Sequence, residues 1–245
     1  MKGIILAGGK GTRLEPFTKL LNKHLLPVGG HPMIYWPINK LKEAGITDIL
    51  IVTNNQHLRS FQEILGRGEE LGVKLFYTIQ SEKGGGIADA LASAKNFVED
   101  QCIVLLGDNL FDDDLRPYID NFKTQPQGAK VLLKEVKDPE RYGVALLDEV
   151  NHTIISIVEK PKNPTSNFCV TGIYFYNKEV FDLIDLIKPS SRGEKEITDI
   201  NNLYINRKEL KYDILKSWWL DAGTHEALYA ANKHYFEKKD IQKAT

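Results

Sequence analysis

The sequence predicts an α/β fold with an open, mostly parallel but mixed sheet that is flanked by helices. In the first half of the chain, short apolar runs such as DILIVT and CIVLLGDN alternate with longer segments of helical period. Nearly continuous apolar runs are typical of strands covered on both faces, and their alternation with helices is typical of a parallel sheet. After about residue 128, four strand-like runs follow one another with little helix between them. We expect these runs to be meandering or mixed strands that extend the same sheet.

The elements are predicted in chain order as follows. The strands GIILAGG, DILIVT, KLFYTIQ and CIVLLGDN are separated by the helical segments MIYWPINKLKEAG, HLRSFQEILGRGEELG and GIADALASAKNFVED. We expect the first two of these helices to end at Gly45 and Gly72. The later strands are AKVLLKEV, YGVALLDE, TIISIVEKP and FCVTGIYFY. Two helices, EVFDLIDLI and EITDINNLYINRKE, then precede a strand-like LKYDILKSWWLD and a last helix from about His225.

The composition narrows the possible partners. The chain has 32 basic and 33 acidic residues, so no net field would attract it to nucleic acid or to an anionic membrane. No apolar span approaches the roughly 20 residues that a transmembrane helix needs, and the N-terminal apolar stretch is too short for a signal peptide. Cys102 and Cys169 lie far apart in apolar runs, which indicates buried thiols in a reducing compartment. We therefore expect a cytoplasmic protein without nucleic-acid or membrane partners.

The most informative stretch is the loop LAGGKGTRL at residues 6–14, directly after the first strand. Open α/β sheets bind ligands beyond the carboxyl ends of their strands, and glycines allow backbone amides to approach phosphate oxygens. The stretch is not a Walker loop, because Ile4 and Gly11 stand where that motif needs a glycine and a hydroxyl residue. It is not a dinucleotide-binding loop either, because it lacks the third glycine and the later acid of that motif. Arg13 and Lys23 supply two cations that suit a triphosphate. A glycine-rich turn with solvated cations is the alternative.

Two carboxylates follow strand-like runs, Asp108 in VLLGDNLF and Asp221 in WWLDAGTH. At the carboxyl edge of a sheet their oxygens could hold Mg²⁺ against phosphates, although a lone aspartate after a strand is more often a turn or cap residue. Three further acids, residues 112–114, precede a helix, and we expect them to stabilise its N-terminus. Trp218 and Trp219 point to opposite faces of their strand, so at least one belongs to the core.

Four stretches together resemble the sugar-1-phosphate nucleotidyltransferases. They are LAGGKGTRLEPFTKLLNKHLLPVGGHPMI, PERYGVALL, IVEKPKNPTSNFCVTGIYFY and PSSRGEKEITDIN, and the resemblance covers nearly the whole chain. It implies a Rossmann-like nucleotidyltransferase fold of the GT-A-like type, with a single domain over residues 1–245. About residues 1–128 would then bind the nucleotide, and about residues 129–245 would bind the sugar phosphate.

The resemblance also implies the site residues, by their matching contexts in this sequence. The nucleotide would be bound by Leu6, Gly8, Gly9, Gly11, Thr12, Arg13, Lys23, His24, Gln80, Gly86 and Asp108. The sugar phosphate would be bound by Asn109, Tyr142, Gly143, Glu159, Lys160, Val170, Arg192 and Trp219. The catalytic groups would be Arg13, Lys23, Asp108, Lys160 and Asp221. Asp108 and Asp221 would hold Mg²⁺.

The implied reaction joins a nucleoside triphosphate to a hexose 1-phosphate. The resemblance is strongest to members that use dTTP and α-D-glucose 1-phosphate, release pyrophosphate and yield dTDP-glucose for deoxysugar synthesis of the dTDP-rhamnose type. These members form homo-oligomers, mostly tetramers. The resemblance therefore implies that this chain also assembles with copies of itself.

This sequence departs from longer members of the family at two places, and these differences leave the identity of the nucleotide base open. His24 stands where longer members have a glutamine near the base, and the loop after Gln80 is one residue longer. UTP or CTP, or another hexose phosphate, therefore remains an alternative. A regulator that binds nucleotide sugars without catalysis is a further alternative. Such a regulator could have lost Lys23 or a metal-binding aspartate, and this sequence retains all of them.

Overall fold

The computed structural model describes residues 1–81, 85–125 and 127–244, with side chains described as far as residue 238. The strands in this part of the chain are β1 Lys2–Leu6, β2 Pro27–Val28, β3 His31–Pro32, β4 Asp48–Thr53, β5 Lys74–Ile79, β6 Gln101–Leu106, β7 Asn109–Phe111, β8 Ala129–Glu135, β9 Gly143–Asp148, β10 Thr153–Glu159, β11 Phe168–Asn177, β12 Leu210–Ile214 and β13 Trp219–Asp221. The helices are α1 Tyr35–Glu43, α2 Leu58–Leu65, α3 Ile87–Ala92, α4 Arg116–Lys123, α5 Val180–Leu186, α6 Ile197–Asn206 and α7 His225–Ala244. No helix in the described ranges combines the length and apolarity needed to cross a bilayer.

A mixed nine-stranded sheet forms the centre of the molecule, with the order β10-β9-β11-β6-β1-β4-β5 and with β8 and β12 joined to β11. Strands β6, β1, β4 and β5 are parallel to one another. Strand β11 runs antiparallel to β6, β8 and β9, and β12 is parallel to β8. The predicted α/β fold class is therefore confirmed, and the later strands extend the sheet as expected.

Apolar side chains fill both faces of the sheet. Along β1, Ile4 and Leu6 belong to one buried cluster and Ile5 belongs to the other, because successive strand residues point to opposite faces. Helices α3, α5 and α6 cover the first face, and α1, α2 and α4 cover the second. The two cysteines, Cys102 and Cys169, are buried free thiols as predicted, and burial raises the pKa of each to about 12.

Several predicted boundaries are wrong; for example, the helix predicted over GIADALASAKNFVED ends at Ala92. Helix α1 stops just before Gly45, as expected, but α2 ends at Leu65 and does not reach Gly72. Its cap, Gly66, has a φ of 53°, a left-handed conformation that ends a helix readily only at glycine. The run LKYDILKSWWLD forms two strands, because the chain leaves the main sheet after β12 and pairs β13 with β7.

The acids at 112–114 only partly stabilise the start of α4. Asp114 accepts a hydrogen bond from the backbone N–H of Arg116, 2.9 Å away, as expected near a helix N-terminus. Asp113 instead accepts hydrogen bonds from the backbone N–H groups of Lys216 and Ser217, in the link between β12 and β13. Asp112 pairs with His234 and Lys238 of α7. The prediction is therefore correct for Asp114 and wrong for the other two, which connect distant segments.

Candidate active site

The glycine-rich loop lies at the carboxyl ends of β1, β4 and β6. The backbone N–H of Ala7 donates to the carbonyl of Val52 over 2.7 Å, and that of Gly107 donates to Leu6 over 3.0 Å. A Cβ at Gly8 would lie 2.0 Å from Oε1 of Gln80, so any other residue here would push the Gln80 side chain away from the loop. Glycine therefore allows the Gln80 amide to lie directly against the loop.

A buried ion pair closes the base of this loop. Lys23 Nζ donates to Asp108 Oδ2, and the two side chains are only 15% and 8% exposed. Burial alone would raise the pKa of the Asp108 carboxyl, but the charge of Lys23 and hydrogen bonds lower that pKa well below its usual range. Asp108 is thus a carboxylate anion at neutral pH.

A second carboxylate reaches the same place through β13. Asp221 is paired with Asn109 across the β13–β7 ladder, and the backbone N–H of Ala222 donates to the carbonyl of Asp108 over 2.8 Å. Burial and the nearby Asp108 charge raise the pKa of Asp221 to about 6. The described residues contain no cluster of three or more side chains that could hold a metal ion, so any metal here would have only this carboxylate pair as protein ligands among them.

A cavity of about 260 Å³ lies between the loop and α3. Eight of the predicted nucleotide-binding residues line it: Leu6, Gly8, Gly9, Lys23, His24, Gln80, Gly86 and Asp108. Gly11, Thr12 and Arg13 lie further along the loop and do not line this cavity. In the loop after Gln80, residues 82–84 lie outside the described residues.

Arg13 lies outside the larger cavity, next to Asp221. A Cβ placed on Gly223 would come within 2.6 Å of its Nη2 atom, so the guanidinium lies directly against this backbone. The charge of Arg13 also lowers the pKa of Asp221, against the larger effects of burial and Asp108. The structure therefore places Arg13 beside the carboxylate pair, at an exposed rim.

A smaller cavity of about 120 Å³ adjoins the first, and Ile87 and Leu106 line both. Among the predicted sugar-phosphate residues, those that line it are Asn109, Tyr142, Gly143, Glu159, Lys160, Val170 and Trp219. Asp221 lines it as well. Asn109 Oδ1 accepts hydrogen bonds from Trp219 Nε1 over 2.9 Å and from the backbone N–H of Gly172 over 2.8 Å, which fixes the indole at the wall.

Charged groups at the rim of this smaller cavity are already paired with one another. Glu159 accepts a hydrogen bond from Thr198 Oγ1 over 2.8 Å, and its other oxygen lies 3.3 Å from Arg192 and 3.4 Å from Lys160. Arg192 also bonds both oxygens of Glu196, and it does not line the cavity. A ligand phosphate would therefore have to compete with carboxylates for both cations.

Sequence reasoning missed several residues that the structure brings to the two cavities. They are Ile87, Ala90, Leu106, Arg141, Gly172, Tyr174, Glu194, Ile197 and Thr198. Thr198 and Glu194 lie within the matched stretch PSSRGEKEITDIN, so the family resemblance was a signal for them. Arg141, Gly172, Tyr174 and Ile197 also lie within the matched stretches, whereas Leu106 lies outside them and its residue type is equally typical of the core.

The arrangement unites features that a phosphoryl-transfer site needs. A glycine loop and two cations lie on one side, a sugar-sized cavity with charged groups at its rim lies on the other, and two carboxylates stand between them. Roomier cavities of about 350 and 760 Å³ lie elsewhere, but neither contains the glycine loop or the carboxylate pair. We therefore place the candidate active site at the two adjoining cavities.

Comparison with known proteins decides the family. The nucleotidyl transferase family model matches residues 2–238. The chain belongs to this family. It is 42% identical over 246 residues to the glucose-1-phosphate thymidylyltransferase of Neisseria meningitidis serogroup A, an alignment that covers 99% of this chain and 85% of that relative.

Two further members of the family are similarly close. The glucose-1-phosphate thymidylyltransferase of Xanthomonas campestris pv. campestris is 45% identical over 235 residues, covering 94% of this chain and 79% of the relative. A Bacillus anthracis protein, a candidate glucose-1-phosphate thymidylyltransferase crystallised with sucrose, has 54% sequence identity and a TM-score of 0.91. That comparison covers 96% of this chain and 95% of the other. The fold and the family are thus those that the resemblance implied.

Proposed function

We propose that the chain transfers the nucleotidyl group of dTTP to α-D-glucose 1-phosphate, yielding dTDP-glucose and pyrophosphate. The observation that carries this proposal is the position of Asp108 and Asp221 where the glycine-loop cavity meets the sugar-sized cavity. The choice of substrates is supported by relatives that are at least 42% identical over most of the chain. The product would supply deoxysugar synthesis.

The glycine-loop side would hold the triphosphate. Backbone amides around Gly8 and Gly11 can approach phosphate oxygens, and Arg13 and Lys23 add positive charge. In the structure Lys23 pairs with Asp108, so a bound triphosphate would give this lysine a second anionic partner. The role of these cations is to stabilise the transition state and the departing pyrophosphate.

Asp108 and Asp221 fit a magnesium ion by their chemistry. Carboxylate oxygens are the ligands that Mg²⁺ prefers, and Asp221 is buried and close enough to Asp108 for the charge of Asp108 to help raise the pKa of Asp221. When bound, Mg²⁺ would supply positive charge that neutralises the phosphates. The two aspartates would be its protein ligands.

The sugar-sized side would orient the nucleophile. Glu159 can accept hydrogen bonds from sugar hydroxyls, while Lys160 and Arg192 can exchange their carboxylate partners for the sugar phosphate. The attacking phosphate oxygen is already an anion at neutral pH, so the reaction needs no side-chain base. The residues bring two repelling anions together and align them for in-line attack at the α-phosphorus.

A matrix of nucleoside triphosphates against hexose 1-phosphates tests the proposal. With Mg²⁺ present, pyrophosphate release should be fastest for dTTP with glucose 1-phosphate. Release with a different pair would reassign the substrates, and no release with any pair would leave a nucleotide-sugar-binding regulator. The expectations of a cytoplasmic homo-oligomer, a tetramer above all, need separate tests by cell fractionation and analytical ultracentrifugation.

A further inference from the structure

The turn that joins β13 to α7 holds the carboxylate pair through its backbone. The backbone N–H of Ala222 donates to the carbonyl of Asp108 over 2.8 Å, and the backbone N–H of Gly223 donates to Asp221 Oδ1 over 2.9 Å. Both donors follow directly after Asp221 in the chain. The turn is therefore fixed in place relative to the two carboxylates at the centre of the site.

His225 reaches from the same turn to the loop that carries Arg13. It is the first residue of α7, and its Nε2 lies 2.9 Å from the carbonyl oxygen of Glu15. Because a carbonyl oxygen can only accept, Nε2 is the donor. The imidazole also contacts the ring of Phe17 edge to face, with 6.0 Å between the ring centroids. His225 thus holds the loop at two residues that follow Arg13.

The loop has few other connections to the rest of the chain. Of residues 12–17, only Leu14 is buried. Among the described residues, the bond from His225 is the only hydrogen bond that joins residues 12–17 to a distant segment. Arg13 forms no hydrogen bond or ion pair with any described residue. The position of its guanidinium beside Asp221 therefore depends on where the loop backbone lies.

We propose that His225 is a positioning residue for the nucleotidyl transfer, which ties the loop to the β13–α7 turn and so keeps Arg13 next to Asp221. His225 lines neither cavity, so it acts through Arg13 and not on a substrate. Because the same turn also holds Asp108 and Asp221, the cation and both carboxylates are aligned with one another before the substrates bind. The inference rests on the proposed function, since it assumes that Arg13 acts on the phosphates.

Three substitutions give the first test. His225→Ala removes the donor, so kcat with dTTP and glucose 1-phosphate should fall about tenfold, while KM for glucose 1-phosphate stays within about twofold. His225→Gln keeps a side-chain N–H donor and should bring kcat back to within about threefold of the wild type. A normal kcat in His225→Ala, or no recovery in His225→Gln, would overturn the inference.

Glu226→Ala is the matched control for the start of the helix. Glu226 lies in the same first turn of α7, is exposed and lines neither cavity. Its kcat should stay within about twofold of the wild type. A tenfold loss in this variant as well would assign the effect to the helix and would contradict a specific role of His225.

A double-mutant cycle separates positioning from a general structural effect. If His225 acts through Arg13, adding His225→Ala to Arg13→Ala should lower kcat by less than about twofold more. Independent effects would multiply, and the double variant would then lose a further factor of about ten. That multiplication would overturn the inference.

Hydrogen exchange tests the contact without turnover. The amide N–H groups of Leu14 and Glu15 are hydrogen-bonded within the loop. In ligand-free protein they should exchange about tenfold faster in His225→Ala than in the wild type, and at the wild-type rate in Glu226→Ala. Faster exchange in a protein that releases no pyrophosphate from any pair would overturn the proposed reaction and still support the hold of His225 on the loop. Unchanged exchange and unchanged kcat in an active enzyme would overturn the role of His225 alone.

Discussion

The two sides of the candidate site differ in how firmly they hold their charges. On the glycine-loop side, Lys23 and Asp108 are 15% and 8% exposed, and Asp108 follows the end of the parallel strand β6. On the sugar-sized side, Lys160 and Arg192 are 51% and 41% exposed. Exposed ion pairs contribute about 0–1 kcal/mol, whereas a buried charge that loses its partner is costly. The first side is therefore preorganised, and the second can exchange partners when a ligand arrives.

The largest expected effect falls on the preorganised side. Asp108→Asn removes the charge that pairs with Lys23 and would hold Mg²⁺, so kcat should fall by about 10³-fold. Asp113→Asn is the matched control, because Asp113 is also buried but lines neither cavity and accepts its hydrogen bonds from the link between β12 and β13. It should lower the melting temperature and leave kcat within about twofold. Steady-state kinetics and thermal melts check both variants, and near-normal turnover of Asp108→Asn would remove the metal assignment.

Arg13 lies at the rim of the same side, and replacing it should lower kcat less than Asp108→Asn does. Arg13→Ala should lower kcat about 10²-fold and also raise KM for dTTP, because a cation that stabilises the departing pyrophosphate acts in the transition state. Lys10→Ala removes a charge from the same loop at an exposed position that lines neither cavity, and both constants should stay within about twofold. A rise in KM alone for Arg13→Ala would limit this residue to ground-state binding.

On the exchangeable side, the expected change lies mainly in binding. Lys160→Gln should raise KM for glucose 1-phosphate about 30-fold, the loss of one charge-assisted hydrogen bond, with a smaller change in kcat. Lys162→Gln is the control, because Lys162 is exposed and lines neither cavity. Initial rates at varied sugar phosphate concentration measure both. If kcat fell as strongly as KM rose, the sugar side would be as preorganised as the glycine loop.

The same contrast explains what could be predicted from the sequence. The loop and Lys23 lie within one short stretch, so their spacing and residue types were enough to indicate phosphate binding. The pairing of Arg192 with Glu159 depends on where the end of β10 meets the segment before α6, which no local pattern encodes. Asp112 and Asp113 were misjudged for a related reason, because long-range partners replaced the expected helix terminus.

The smallest expected effect is a pH dependence of stability on the preorganised side, where the pKa of His24 is lowered and the pKa of Asp221 is raised. His24 has its pKa lowered to about 3 from 6.5, so its contribution is present above pH 6.5 and is lost as pH falls towards 3. Asp221 has its pKa raised to about 6 from 3.8, so its contribution is present below pH 3.8 and is lost as pH rises through 6. In the wild type the two partly cancel between pH 7 and pH 5.

Single substitutions should expose each contribution. Between pH 7 and pH 5 in metal-free buffer, the free energy of unfolding of His24→Gln should gain about 2 kcal/mol relative to the wild type, since the variant escapes protonation of an unfolded histidine. Asp221→Asn should lose about 1 kcal/mol over the same interval, because it cannot take up the proton that stabilises the folded wild type. Denaturant unfolding at both pH values measures the two differences. Shifts of the same sign in both variants would mean that the buried histidine and the carboxylate are not held in the protonation states on which the preorganised side depends.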